Sequence, residues 1–252
     1  MEYLLEGRDI VKTFGGVRAV DGCSFGVAPR SVTGFIGPNG AGKTTLFNLI
    51  SGFFRPDRGQ VILEGHRIDG LPPHQVVRMG LGRTFQNPRE LRDMTVLENM
   101  MLFPKGQAGE WIWEPFLASG RVRRQEGEIR DKAEDILEFV QLIDLRDELA
   151  KNLSGGQKKL LEFGRALMGD PRVILLDEPG AGVNPALMKR LSRNILDLRG
   201  KGKTFLLIEH DMDLIAALCD RVVVMAKGRV LAKGTVEEIR KDRRVVEAYL
   251  AG

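Results

Sequence analysis

This sequence has few cysteines and no long apolar run, and both features narrow its possible roles. No segment approaches the ~18 consecutive apolar residues that a membrane-spanning helix needs. Residues 1–8 carry acids where a secretory signal would carry positive charge, so we expect no leader and expect any membrane role to depend on a partner. The two cysteines, Cys23 and Cys219, lack the spacing of a metal site, which favours a reducing cytoplasm and two small buried side chains.

The charged residues are mixed in sign along the chain. Lysine and arginine total 38 against 34 acids, which gives a net charge of +4. A basic protein can bind nucleic acid or an anionic membrane surface. The longest basic cluster, at residues 121–124, is short and more typical of a solvated helix face. We therefore expect no nucleic-acid partner.

The hydrophobic pattern divides the chain into three zones. The first, about 1–85, predicts short strands, including an apolar run at 31–37, and one helix at 43–50. The second, about 86–154, predicts a helical lobe with an irregular insertion at 104–120. Apolar residues at amphipathic helical spacing mark that lobe: Ile129, Ala133, Ile136, Leu137 and Val140.

The third zone alternates strands with helices. The predicted strands are 173–176, 204–208 and 222–225, and the predicted helices are 185–198 and 211–218. Such alternation indicates a mostly parallel sheet covered on both faces. Ligands of these sheets bind at the carboxyl ends of the strands.

Residues 37–44, Gly-Pro-Asn-Gly-Ala-Gly-Lys-Thr, match the P-loop pattern. Glycines allow backbone N–H groups to face a phosphate, and the helix that follows adds its positive dipole end. Lys43 can reach the outer phosphates, and the Thr44 hydroxyl can hold Mg²⁺. A chance glycine-rich turn is the alternative, but the preceding strand and the following helix favour ATP binding. The residues assigned to this loop are Gly37, Pro38, Asn39, Gly40, Ala41, Gly42, Lys43, Thr44 and Thr45.

A buried strand at 173–176 is followed directly by Asp177 and Glu178. In P-loop enzymes an aspartate at this place helps to hold Mg²⁺. Glu178 would then face the terminal phosphate and could orient or deprotonate a water molecule. The alternative is that the two acids only end a strand at the surface. The apolar run before them argues against it, because such a run indicates a buried strand.

The pentapeptide at 153–157, Leu-Ser-Gly-Gly-Gln, resembles the signature of ABC transporter ATPases. Serine and glycine amides at a helix start form a second anion site, and a plain helix cap would explain Ser154 alone. The resemblance implies that two subunits pack head to tail, each signature closing on the ATP in the P-loop of the other. It assigns ATP contacts to Ser154, Gly155, Gly156 and Gln157.

Three single residues match further positions of that family. Gln86 is similar to the glutamine that contacts Mg²⁺ and water and relays movement to the membrane domain. His210 is similar to the histidine that contacts the terminal phosphate, and Phe14 to the aromatic residue that stacks on adenine, although core packing is a rival explanation for Phe14. Asn184 departs from the family, which often has aspartate there. Asparagine can still cap the following helix.

The resemblance implies an α/β fold. A P-loop NTPase core with a mostly parallel sheet would carry an N-terminal antiparallel β portion and a helical lobe. The expected division of the single ABC ATPase domain, 1–252, is a core at about 1–85 and 160–235, the lobe at 86–159 and a helical tail at 236–252. The cofactors would be ATP and Mg²⁺. The chain would sit on the cytoplasmic face of the membrane, beside permease subunits and, indirectly, a substrate-binding protein.

Residues 80–99, the tryptophan-bearing insertion, residues 209–213 and the tail at 246–250 resemble importers of branched-chain amino acids. ATPases for urea or amide import and for lipopolysaccharide export are similar. The second ATPase subunit can be a copy or a sister chain. Leu91, Met94 and Val96 either line a groove for a permease helix or pack within the lobe.

Three other classes are less favoured. A soluble ABC ATPase of DNA repair or translation usually has a coiled-coil insertion or two cassettes. A P-loop kinase has no use for the signature pentapeptide. A regulatory binder without hydrolysis would not need Glu178 and His210.

Overall fold

The computed structural model describes residues 3–86, 90–103 and 119–250. The tryptophan-bearing insertion, including Trp111 and Trp113, lies outside these residues. The chain forms two compact units. The first contains the described residues of Met1–Gln86, Arg172–Ala181 and Ile195–Gly252, and the second those of Asn87–Pro171 and Gly182–Asn194.

All the strands that the structure describes belong to the first unit. They are β1 (Leu5–Phe14), β2 (Val17–Val27), β3 (Val32–Ile36), β4 (Arg58–Leu63), β5 (His66–Arg67), β6 (Leu81–Arg83), β7 (Val173–Asp177), β8 (Thr204–Ile208), β9 (Arg221–Ala226) and β10 (Arg229–Gly234). They form a four-stranded sheet in the order β2-β1-β4-β5 and a six-stranded sheet in the order β10-β9-β3-β8-β7-β6.

The pairing of the strands confirms the predicted α/β fold class. Strands β3, β6, β7, β8 and β9 run parallel, and β10 alone joins the larger sheet antiparallel. The smaller sheet is antiparallel throughout. Every residue of β3, β7 and β8 is buried, as expected of strands covered on both faces.

The described helices are α1 (Lys43–Ile50), α2 (Pro73–Arg78), α3 (Val96–Met101), α4 (Ser119–Phe139), α5 (Gly155–Met168), α6 (Pro185–Gly200), α7 (Met212–Leu218), α8 (Val236–Lys241) and α9 (Arg243–Leu250). None of them is long and apolar enough to cross a bilayer. The helix predicted at 43–50 and the strand predicted at 204–208 have the observed bounds.

The core of the first unit joins both sheets to α1. Phe25 of β2, Phe35 of β3 and Phe47 of α1 meet edge to face, with ring centroids 5.2 and 6.5 Å apart. Cys23 is fully buried within this core, as predicted, whereas Cys219 is only half-buried. Burial raises the pKa of each thiol to about 12, so both stay protonated at neutral pH.

In the second unit, α3, α4 and α5 pack against one another. Val96 is fully buried, which excludes it from an open groove and favours packing within the lobe, whereas Leu91 is 42% exposed. Asn99 is fully buried, and its side chain bonds the backbone of the segment that leads into α3. This polar side chain therefore fixes the backbone between Leu91 and Thr95.

Candidate active site

The P-loop joins the end of β3 to the start of α1. Gly37, Gly40 and Gly42 have φ angles of 147°, 75° and 97°, which L side chains rarely adopt. A Cβ at Gly37 would collide with the carbonyl oxygen of Met225, and one at Gly42 with that of Ala19. Backbone angle and space therefore both require glycine at positions 37 and 42, and the backbone angle favours it at position 40.

The first turn of α1 presents its backbone donors to a ligand. Its N-cap is Gly42, and no side chain caps the helix start. The unpaired N–H groups and the helix dipole suit a phosphate. Thr44 is exposed in this turn and Thr45 is half-buried, while Asn39 and Gly40 are exposed in the loop.

The side chain of Lys43 reaches back to the backbone of the P-loop that precedes it. Its Nζ donates hydrogen bonds to the carbonyl oxygens of Gly37 and Pro38, at 2.6 and 2.9 Å. Burial lowers the pKa of Lys43, and the carboxylates of Glu178 and Asp177 act against that shift. Both acids therefore favour the charged form of Lys43.

The end of β7 carries the two acids toward the P-loop. Asp177 is 3% exposed and Glu178 is half-buried, with a φ of 48°. The N–H of Glu178 donates to the carbonyl of Ile208 on β8 at 3.0 Å. Gln86 Nε2 donates to Glu178 Oε2 at 2.7 Å, so the structure brings these two predicted residues into direct contact.

His210 and Phe14 are exposed residues of the first unit. His210 follows β8, the direct neighbour of β7, and its side chain is 68% exposed. Phe14 ends β1, is 42% exposed and packs edge to face on Phe54, with centroids 5.2 Å apart. The assigned roles of His210 and Phe14 stay predictions.

The signature pentapeptide begins α5 in the second unit. Ser154 and Gln157 form a capping box: Ser154 Oγ accepts from the Gln157 N–H at 3.3 Å, and Gln157 Oε1 accepts from the Ser154 N–H at 2.8 Å. Gly155 is exposed with open space around it, whereas Gly156 is buried against Leu187. Both polar side chains therefore serve their own helix, and contact with ATP is a further prediction.

Comparison with known protein families establishes which family this chain belongs to. The model of the ABC transporter family matches residues 20–181, well over half of the chain. The chain belongs to the ABC transporter family. A second model, of the branched-chain amino acid ATP-binding cassette transporter, matches residues 229–250. As a member of the family, the chain is a nucleotide-binding ATPase of the kind that energises transport.

Individual relatives of this ABC ATPase match it over nearly its whole length. It is 45% identical to a probable branched-chain amino acid transport ATP-binding protein LivG of Archaeoglobus fulgidus, over 98% of this chain and 95% of that protein. It is 40% identical to the high-affinity LivG of Escherichia coli strain K12, over 98% and 97% of the two chains.

Solved structures of similar proteins have the same fold as this ABC ATPase. A nucleotide-free ATP-binding cassette from an ABC transporter is 41% identical, with a TM-score of 0.85 over 97% of this chain and 98% of that one. The ADP conformation of another ATP-binding cassette is 38% identical, with a TM-score of 0.85 over the full length of both chains.

Mg²⁺ fits the donors at this strand end. Within residues 3–86, 90–103 and 119–250, no group of three or more His, Cys, Asp or Glu side chains can hold a metal ion. The predicted ligands of an Mg²⁺ ion in this ABC ATPase are Asp177, the hydroxyl of Thr44 and the amide oxygen of Gln86, together with the phosphates of ATP. Mg²⁺ prefers this kind of site, with one or two carboxylates and substrate phosphates.

Sequence reasoning missed two buried charged residues of the ABC ATPase. Glu209 is 1% exposed and accepts a hydrogen bond from the Gly180 N–H at 2.7 Å, which ties the loop after Glu178 to the end of β8. Arg83 is buried on β6 and forms a salt bridge with Asp177. For both residues, the sequence signal that could have indicated burial is a charged residue at the end of an apolar strand.

Proposed function

We propose that this chain is the ATP-hydrolysing subunit that powers import of branched-chain amino acids. The observation that carries the hydrolytic part is the approach of Gln86 to Glu178, beside Asp177 and the P-loop lysine. Support for the transported substrate is the 40–45% identity to LivG proteins over nearly the full chain. The second family model, matched at residues 229–250, supports the same substrate class.

In this proposal, Phe14 stacks on adenine and the P-loop amides hold the phosphates. Lys43 binds the outer phosphates, where its positive charge offsets theirs. Thr44, Asp177 and Gln86 would hold Mg²⁺, which would neutralise phosphate charge when bound.

Glu178 orients the attacking water and accepts its proton, and Gln86 fixes the carboxylate through its 2.7 Å hydrogen bond. His210 contacts the terminal phosphate from the end of β8. The water is therefore held between a base and the phosphorus atom that it attacks.

Two such subunits would close head to tail over two ATP molecules. Ser154 and its neighbouring glycine amides would then contact the ATP bound by the partner's P-loop. Permease subunits would convert closing and reopening into transport, with a substrate-binding protein delivering the amino acid. The subunit would work at the cytoplasmic face of the membrane.

Uptake of labelled leucine tests the proposal, in cells with and without this chain. Unlabelled isoleucine, valine, urea and amides serve as competitors. We expect loss of the chain to abolish uptake, and the wild type but not Lys43→Ala to restore it. Unchanged leucine uptake would contradict branched-chain amino acids as the transported substrate. Competition by urea or amides alone would assign the transporter to those compounds instead.

A further inference from the structure

Arg83 is a buried cation in direct contact with the proposed metal site. Its side chain is 6% exposed, and Nη2 lies 3.1 Å from Asp177 Oδ2. Its Nη1 donates to Asn48 Oδ1 and to Ser51 Oγ, both at 2.7 Å. One planar guanidinium thus joins the last turn of α1 to the end of β7.

Three aromatic rings surround the same guanidinium. The centre of the guanidinium is 5.9 Å from the ring of Phe47, 5.6 Å from that of Phe53 and 5.1 Å from that of Phe85. Rings at this distance attract the cation and restrict its movement. The orientation of Arg83 is therefore fixed from several sides.

A buried charge is costly unless it is paired and hydrogen-bonded. The Nη1 and Nη2 groups of Arg83 meet that condition, and Nη2 does so through Asp177, an acid of the proposed Mg²⁺ site. Lysine could not replace it, because an ammonium lacks the flat fork that bonds several partners at fixed angles. The strand that carries Arg83 also leads, three residues later, to Gln86.

We propose that Arg83 is a positioning residue that fixes the carboxylate of Asp177 for Mg²⁺–ATP. The guanidinium holds Oδ2 and balances the negative charge of the acid. Its hydrogen bonds to Asn48 and Ser51 hold the guanidinium in place from the last turn of α1, at the opposite end of that helix from Lys43 and Thr44. The inference rests on the proposed ATP and Mg²⁺ site.

The test compares binding of a fluorescent ATP analogue to the full chain in EDTA and in excess Mg²⁺. Arg83→Met keeps the bulk and the contact with the aromatic rings but removes the charge and the fork. We expect its affinity in EDTA to stay within about twofold of wild type, since the P-loop is unchanged. Affinity in Mg²⁺ should fall about 10–100-fold, as is typical when a residue that orients a metal ligand is lost.

Arg83→Lys keeps the charge without the fork and should recover part of the Mg²⁺-dependent affinity. It also supplies the test if Arg83→Met does not fold, as judged by its thermal midpoint. Arg67→Met, which removes an exposed arginine paired with Asp69, is the matched control and should behave as wild type. Equal losses with and without Mg²⁺, or no loss at all, would overturn the proposal.

Two further variants separate this inference from the proposed function. Lys43→Ala should lose affinity in both conditions, and Asp177→Asn only in Mg²⁺. If wild type shows no binding or no Mg²⁺ effect, the proposed site itself is wrong. If wild type and both variants behave as expected but Arg83→Met matches wild type, only the role of Arg83 fails.

Discussion

At the residue scale, the proposed hydrolysis depends on the carboxylate of Glu178, which the Gln86 amide holds. Gln86 Nε2 donates to Glu178 Oε2, and Glu178 lies close enough to Lys43 to raise the pKa of its ammonium against the effect of burial. Glu178→Gln keeps the size of the side chain but removes the base. We expect ATP binding to persist and phosphate release to fall by about 10²–10⁴, the usual contribution of a positioned base.

Phosphate release and equilibrium binding of ATP, measured on the same preparation, check this expectation. Glu237→Gln, on α8, is the matched control because Glu237 is exposed. Normal turnover by Glu178→Gln would remove Glu178 from its role. Loss of binding together with turnover would show that the acid supports the fold of the loop rather than the chemistry.

At the element scale, the start of α3 depends on one buried amide. Asn99 Nδ2 donates to the carbonyls of Leu91, at 3.0 Å, and Thr95, at 2.9 Å, and its Oδ1 accepts from the Leu91 N–H at 2.8 Å. Asn99→Ala removes the acceptor of the buried hydrogen bond from the Leu91 N–H, whereas the two carbonyls keep their backbone donors. We expect the free energy of unfolding to fall by about 1–3 kcal/mol.

Urea unfolding followed by circular dichroism measures that loss. Asn152→Ala is the control, because Asn152 is exposed and makes only a 3.3 Å hydrogen bond to Glu148. Its midpoint should match that of wild type. An unchanged midpoint for Asn99→Ala would mean that water replaces the amide at little cost.

Local signals made several elements predictable from the sequence. The bounds of α1 follow from Gly42 before it and an apolar face along it, and those of β8 from an uninterrupted apolar run. Asp211 precedes α7 as a cap, accepting from the N–H groups of Asp213 and Leu214. Asn184 similarly caps α6 by accepting from the Leu187 N–H.

Contacts between distant segments were not predictable in the same way. The burial of Arg83 depends on α1, β6 and β7 meeting, although these segments are far apart in the chain. Val96 sits at helical spacing that fits a groove as well as a core, and only the packing of the lobe shows that it is buried. Among the proposed site residues, Gln86 is identified by family resemblance, and no local pattern indicates its bond to Glu178.

At the scale of the whole molecule, one chain carries one P-loop and one signature, each in a different compact unit. If two subunits pair head to tail, each site takes its P-loop from one chain and its signature from the other. Two variants with different defects distinguish this arrangement from a site made within one chain. Lys43→Ala disables the P-loop.

Gly155→Glu disables the signature, because its side chain enters open space on its own subunit and places a negative charge where phosphate would bind. An acid at this helix start does not oppose the helix dipole, so the subunit itself should stay folded. Gly127→Glu, at another helical glycine with open space around it, is the control and should keep full activity.

Each variant alone should be inactive, and an equal mixture should recover activity. Random pairing makes half of the dimers mixed, and each mixed dimer has one intact site of two, which predicts about a quarter of wild-type phosphate release. No recovery, with wild type active alone, would place the P-loop and signature of each site in the same chain. If wild type alone is inactive but gains activity with a second ATPase subunit, the working pair is a heterodimer, and the same two variants then show which chain supplies each half of the site.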